Sequence, residues 1–236
     1  MFTASAEYYD LIYAAFKDYA AEITQVSSLL RRLNPDRRTV LDVGCGTGEH
    51  ARLLTDQGFA VDGLDIEPAF VRIASAKNPA GRFVVADMSD FQLPNRYDAL
   101  LCLFSSIGYL RTLERVTRAL ACFRDHLAPG GLALVEPWFP PGVLEPNREF
   151  THRGEAHGVK VSRHSRTEID GTLSRLLFKY EIDDHGVARR VSEVHELGLF
   201  TTEEMMRAFD AAGLHVDHDP EGLTGRGLFI ATCPQV

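Results

Sequence analysis

Eight consecutive residues, Leu41-Asp42-Val43-Gly44-Cys45-Gly46-Thr47-Gly48, join an apolar run to a glycine-rich turn. Glycines there permit a tight strand-to-helix reversal and let a ligand approach the backbone closely. A pyrophosphate-binding turn requires the spacing G-x-G-x-x-G. Here the spacing is G-x-G-x-G, and position 49 is a glutamate. A carboxylate in the first turn of the next helix repels an anion seated at that helix N-terminus. The turn therefore suits a phosphate-free ligand carrying positive charge, with Asp42 beside it to meet that charge. Two further carboxylates stand at the ends of later apolar runs. Asp65 follows Gly44 by 21 residues, and Asp87 precedes Met88. The first can accept both hydroxyls of a ribose. The second can accept from an adenine amino group, with Met88 as a soft apolar contact.

These residues act together only if the chain brings three strand ends to one edge. Residues 19–33 read as a helix with Ile23, Val26, Leu29, Leu30 and Leu33 on one face, stopped by Pro35. Strands are expected at 39–43, 60–65, 82–86, 97–104 and 132–136, with helices at 49–57, 68–77 and 113–127, the last ended by Pro129-Gly130-Gly131. Strands alternating with helices imply right-handed β-α-β units and a mostly parallel sheet. The fold class is α/β, a Rossmann-like sheet that binds its ligand at the C-terminal strand edge. S-adenosylmethionine, a sulfonium on a phosphate-free adenosine, matches all three features. After Pro137 the pattern changes to alternating polar and apolar residues, as in 159–164, 173–182 and 187–197, with Gly171 and Asp184-His185-Gly186 as turns. This reads as an antiparallel insert over 138–200, dividing a cofactor-binding domain of residues 1–137 and 201–236. The insert is expected to serve the substrate site or dimerisation. A capped helix over 202–212 and a strand over 228–232 close the pattern.

Composition excludes several classes. The net charge of −8 argues against a phosphate-reading nucleic-acid protein. Arg111, Arg115, Arg118 and Arg189-Arg190 read as solvated helix or hairpin faces. Cys45, Cys102, Cys122 and Cys233 lack metal or disulfide spacing. His152 and His157 fall in a loop-like stretch, and His215 and His218 near a helix end, without neighbouring ligands, so no metal is expected. No apolar run reaches the roughly 18 residues needed to span a bilayer. The opening residues lack a signal-peptide pattern, so the expected location is the cytoplasm, without a membrane partner. A nicotinamide oxidoreductase lacks its G-x-G-x-x-G. A nucleic-acid methyltransferase lacks an Asn/Asp-Pro-Pro-Tyr-like motif after the fourth strand, where Leu103-Phe104-Ser105-Ser106 stands.

The glycine motif and its carboxylates resemble the class I methyltransferase signature. Narrower stretches extend the resemblance along almost the whole chain. They are Tyr9-Asp10-Leu11, Lys17-Asp18-Tyr19, Phe104-Ser105-Ser106-Ile107-Gly108-Tyr109-Leu110, Val135-Glu136-Pro137-Trp138, Phe209-Asp210-Ala211-Ala212-Gly213-Leu214 and Gly225-Arg226-Gly227-Leu228-Phe229. In these the chain resembles the N,N-dimethyltransferases of dTDP-3-amino-3,6-dideoxyhexoses. The resemblance implies that Tyr19 meets the methionine end of the cofactor, that Leu103 and Phe104 wall it, and that Ile66 lies with Asp65 on the cofactor side. It implies that Tyr9, Ser106 and Tyr109 contact the sugar and its amine, that Trp138 walls the cleft, and that Arg226 faces the nucleotide. It also implies a homodimer.

Three departures lie on the substrate side. Phe2 stands where the family has a tyrosine, Trp138-Phe139 where it often has Pro-Trp-Trp, and 142–155 matches poorly. Transfer from a sulfonium is an in-line displacement that chiefly needs alignment. Tyr109 is therefore expected to orient the amine while water takes the proton. Another small amine, a hydroxyl or an indole carbon remains open as acceptor, and so does a binding protein that keeps the fold without catalysis.

Overall fold

Thr39–Val43 (β1) is buried from Val40 onward, as a strand covered on both faces is. In the computed structural model, which describes residues 5–33, 36 and 38–234, it is an interior strand of a seven-stranded sheet. It pairs with Ala60–Asp65 (β2) and Tyr97–Cys102 (β4), which pair in turn with Phe83–Val85 (β3) and Leu127–Val135 (β5), all parallel. A hairpin of His215–Asp219 (β10) and Leu228–Thr232 (β11) adds two antiparallel strands, giving the order β10-β11-β5-β4-β1-β2-β3. The strand order reverses between β1 and β4, which puts a crevice at their C-terminal ends, the expected ligand edge.

The helices are Tyr9–Tyr13 (α1), Tyr19–Leu33 (α2), Glu49–Asp56 (α3), Pro68–Lys77 (α4), Leu113–His126 (α5) and Thr202–Ala211 (α6). Ile23, Val26 and Leu30 of α2 are fully buried against one face of the sheet, with Leu54 of α3 and Ala74 of α4. Phe123 of α5 and Phe209 of α6 fill the other face. Thr201 and Glu204 form a reciprocal capping box that starts α6 as the sequence implied. Pro35, the side chain of Leu33, and Phe2 lie outside the described residues. Among the described residues no helix is long and apolar enough to cross a membrane.

Four strands make a separate antiparallel sheet in sequence order: Glu149–Ala156 (β6), Val159–Asp170 (β7), Leu173–Asp184 (β8) and Val187–Gly198 (β9). His185 and Gly186, with φ of 50° and 85°, form the two-residue hairpin loop expected of paired left-handed residues. One face of this sheet closes over the C-terminal edge of the large sheet.

Several elements differ from the expected pattern. β6 takes up the stretch containing His152, and β10 the one containing His215 and His218; both strands are polar at most positions, so no apolar period marked them. β4 stops at Cys102, because Phe104 and Ser105 turn left-handed. β5 begins at Leu127, so Pro129-Gly130-Gly131 lies inside the strand. The left-handed Gly130 and a register shift opposite Tyr97–Ala99 let the strand run through.

A buried ion cluster braces the start of α2. Lys17 Nζ lies 2.6 Å from Glu22 Oε2, which also takes His50 Nε2 at 2.9 Å. Burial pushes the Glu22 carboxyl up, but His50 and Lys17 outweigh it and hold the group below the usual carboxylate range. Glu22→Ala leaves Lys17 buried without its partner and is expected to cost about 3 kcal/mol or more. Because the folded value is lowered, this stability is present above the unfolded carboxylate value near pH ~4.3 and is lost as pH falls through the folded one. Denaturant unfolding at pH 7 and in acid checks both statements.

Candidate active site

Three glycines at the end of β1 take φ values of 71°, 53° and 74°, a path open to glycine at little cost. The turn is tied down by Gly44 and Cys45 N–H donating to Leu64 O at 2.8 and 3.0 Å. A Cβ on Gly44 would fall 2.8 Å from Ser106 Cβ, so the turn and the loop after β4 touch here. Gly48 also serves the close approach of α3 to α4, since a Cβ there would meet Asn78 and Ala74.

Asp65 ends β2, nine-tenths buried, and its two oxygens accept N–H bonds from Gly46 and Glu67 at 2.9 Å each. Burial raises its carboxyl above the usual value. Each oxygen keeps lone-pair capacity for a further donor. Asp42 is 2% exposed, and its Oδ2 has no hydrogen-bond partner. Burial pushes this carboxyl up to about 6. A buried carboxylate oxygen without a donor fits the ammonium of an amino-acid group, so the residues present suit S-adenosylmethionine at both ends. Asp42, Tyr19 and Leu103 border a small recess, together with Tyr9, Gly44, Gly46, Phe104 and Ser106.

That recess adjoins a cavity of about 880 Å³, at the upper end of the range for small-molecule sites. Tyr9, Gly44, Gly46, Asp65, Ile66, Asp87, Met88, Phe104, Ser106, Tyr109, Trp138 and Arg226 all line it. Ile66 is 44% exposed, an apolar surface available to a flat base. Asp87 is more committed than its sequence implied. It accepts from Ser89 N–H and Oγ, and Arg115 lies 2.7 Å away, so Arg115 does not sit on a solvated face. Burial opposes the Asp87 charge, but these partners outweigh it and lower the carboxyl below its usual value.

The loop after β4 is held in an uncommon conformation. Phe104 and Ser105 have φ of 52° and 62°. Fully buried Glu136 accepts the Phe104 N–H at 2.6 Å, Thr224 Oγ1 also donates to Glu136, and Ser105 Oγ donates to Pro137 O at 2.7 Å. Arg226 donates to Ser105 Oγ at 3.2 Å and lies over the Phe104 ring. Trp138 Nε1 donates to Ser174 Oγ at 2.8 Å, turning its ring into the cavity wall. Tyr9 stacks on Tyr13 with centroids 4.1 Å apart.

The second sheet supplies residues that the sequence did not mark. Tyr109 OH lies 3.0 Å from His195 Nδ1, and His195 Nε2 lies 3.3 Å from Glu193 Oε2. Ser5 donates to Glu193 through its N–H and its hydroxyl. Burial holds the His195 imidazole below its usual value, against the pull of Glu193. With Nε2–H on the carboxylate, neutral His195 accepts at Nδ1, and Tyr109 must donate its proton there. The signal available was parity: Glu193 and His195 share the buried face of β9 with Leu197.

A family described as a methyltransferase domain matches residues 40–131. The dTDP-3-amino-3,6-dideoxy-alpha-D-glucopyranose N,N-dimethyltransferase of Streptomyces fradiae is 39% identical over 227 residues, 95% of this chain and 89% of that protein. Among solved structures, DesVI of Streptomyces venezuelae superposes with a TM-score of 0.91 at 35% identity, covering 98% of each chain. CalS10, an amino pentose methyltransferase of Micromonospora echinaspora solved with S-adenosylmethionine bound, gives a TM-score of 0.85 at 34% identity, covering 95% of this chain and 96% of that one. With 39% identity across 95% of its length and a TM-score of 0.91, the chain belongs to the S-adenosylmethionine-dependent N,N-dimethyltransferases of dTDP-linked amino sugars.

Proposed function

We propose that the protein transfers methyl groups to the amino nitrogen of a dTDP-linked amino sugar in the cytoplasm. The observation that carries this reading is the junction at Tyr109. One cavity runs from the glycine turn and Asp65 to the inner face of the second sheet, with Tyr109 between them.

When bound, S-adenosylmethionine supplies an electrophilic methyl carbon. Asp42 holds the ammonium of its amino-acid end, Asp65 its ribose, and Tyr19, Leu103 and Phe104 wall it. Ile66, Asp87 and Met88 border the base. Ser106, Trp138, Tyr9 and Arg226 receive the sugar nucleotide. The Tyr109 proton is committed to His195, so its oxygen presents only lone pairs to the acceptor. It accepts an amine N–H and leaves the nitrogen lone pair free for the methyl carbon. No strong base is needed, since the neutral amine is already a nucleophile and water can take the released proton. Residues 138–200 form the substrate-side part of the molecule in this reading. Pairing of two chains through the exposed outer edge of β9 over 187–192 would give the dimer, which sedimentation can check.

The reading is tested by mass spectrometry on purified protein with S-adenosylmethionine and a panel of acceptors: dTDP-3-amino-3,6-dideoxyhexoses, simple amines and indoles. Gain of two methyl groups on the amino sugar is expected. Turnover confined to an indole or a simple amine would contradict the acceptor. A second expectation concerns Asp42. Its carboxylate must be charged to hold an ammonium, so S-adenosylhomocysteine affinity falls as pH drops below about 6, by up to about tenfold per pH unit. Calorimetry between about pH 8 and pH 5 checks this, and Asp42→Asn is expected to bind weakly with little pH dependence over that range.

A further inference from the structure

The inner face of the second sheet buries an arginine that lies outside ion-pair distance of Glu193, the carboxylate buried on the same face. The two-residue period of β7 turns Val161, Arg163, Ser165 and Thr167 to the buried side. Arg163 is 5% exposed and lines the large cavity. Its guanidinium carbon lies 4.6 Å from the Phe178 ring centre, 4.9 Å from Tyr13 and 5.6 Å from Phe16. Nη2 meets His152 Nδ1 across the β6–β7 pair at 3.3 Å. Nε and Nη1 are buried with no hydrogen-bond partner. Among the described residues no carboxylate lies within ion-pair distance of Arg163. The other arginines at this cavity differ: Arg115 pairs with Asp87 at 2.7 Å, Arg111 with Glu196 at 2.9 Å, Arg148 with Glu145 at 3.9 Å, and Arg226 is held by Ser105.

A guanidinium cannot escape burial by losing its proton. Aromatic faces and the Tyr13 hydroxyl recover part of its lost hydration, but Nε and Nη1 stay unmet. A ligand with anionic oxygens would satisfy both the charge and the donors, and Arg is suited to phosphate. Its partner His152 is held neutral by burial and by Arg163 itself, so it accepts and adds no second positive charge.

We infer that Arg163 is the anchor for the diphosphate of the acceptor, its Nε–H and Nη1–H donating to phosphoryl oxygens from within the aromatic cage of Tyr13, Phe16 and Phe178. The inference rests on the nucleotide-sugar reading and deepens it. Arg163 then selects for the nucleotide-linked sugar over the free sugar.

The test is calorimetric titration of dTDP, thymidine and inorganic diphosphate into wild type, Arg163→Met and Arg163→Lys, each saturated with S-adenosylhomocysteine. Thermal unfolding of the ligand-free proteins runs alongside. Wild type is expected to favour dTDP over thymidine, and Arg163→Met to lose about tenfold to a hundredfold of dTDP affinity with thymidine binding kept. The ligand-free Arg163→Met protein is expected to melt no lower than wild type, because an unpaired buried charge has been removed. Arg163→Lys restores only part of the affinity, lacking the planar donor set. Equal dTDP affinity in wild type and Arg163→Met overturns the anchor and leaves the acceptor reading standing. A lowered melting temperature with parallel loss of dTDP and thymidine overturns it in favour of a purely structural arginine. Arg163-dependent binding of inorganic diphosphate without dTDP binding upholds the anion site and removes the nucleotide acceptor.

Discussion

Asp65→Ala is expected to weaken S-adenosylhomocysteine binding by about a hundredfold or more. The carboxylate carries two loads at once. It holds the Gly46 and Glu67 N–H groups at 2.9 Å, which shapes the end of the glycine turn, and its remaining lone pairs face the cavity where ribose hydroxyls would sit. Hydrogen bonds to a charged group contribute roughly 1.5–3 kcal/mol each, so loss of a pair to the ribose accounts for the expected factor. Alanine also leaves two N–H groups unmet, and a modest fall in melting temperature should accompany the loss. Asp65→Asn keeps one acceptor and should fall between the two. Calorimetry with S-adenosylhomocysteine reads all three proteins, and unchanged affinity in Asp65→Ala would remove Asp65 from the cofactor site.

Tyr109→Phe is expected to lower kcat about 10- to 100-fold while leaving S-adenosylhomocysteine affinity within about twofold. The ring remains, and only the oxygen that receives the amine N–H is lost, so the effect falls on alignment with the methyl carbon. His195→Leu makes a sharper test. Its removal frees the Tyr109 proton, which can then donate to the amine lone pair and block the attacking electrons. The expected result is a loss in kcat approaching that of Tyr109→Phe, although His195 is a positioning residue. Steady-state kinetics with intact melting temperatures separates this from misfolding. Full activity in His195→Leu would show that the Tyr109 proton is not directed by it.

Much of the cofactor side was legible because local sequence dictates it. A buried parallel strand is an apolar run, its glycines announce the turn, and Asp42, Gly44, Gly46 and Asp65 lie at or next to strand ends, where ligand contact is expected. The substrate side was less legible because its contacts span long separations. Tyr109 meets His195 across 86 residues, and Arg115 reaches Asp87 across 28. Arg163 and Glu193 look like solvated charges until the register of β7 to β9 turns their parity inward. β6 reads Glu-Phe-Thr-His-Arg-Gly-Glu-Ala, too polar to advertise a strand, and only its pairing with β7 makes it one. The second load on Gly48, the packing of α3 on α4, is set by where Asn78 and Ala74 fall.

The most direct test uses S-adenosylmethionine carrying a carbon-13 methyl group, with a dTDP-3-amino-3,6-dideoxyhexose as acceptor and nuclear magnetic resonance to locate the label. Two labelled methyl groups are expected on the sugar nitrogen and none on oxygen or carbon. Label on a hydroxyl, or an unlabelled sugar nitrogen in protein that binds the cofactor, would contradict that expectation.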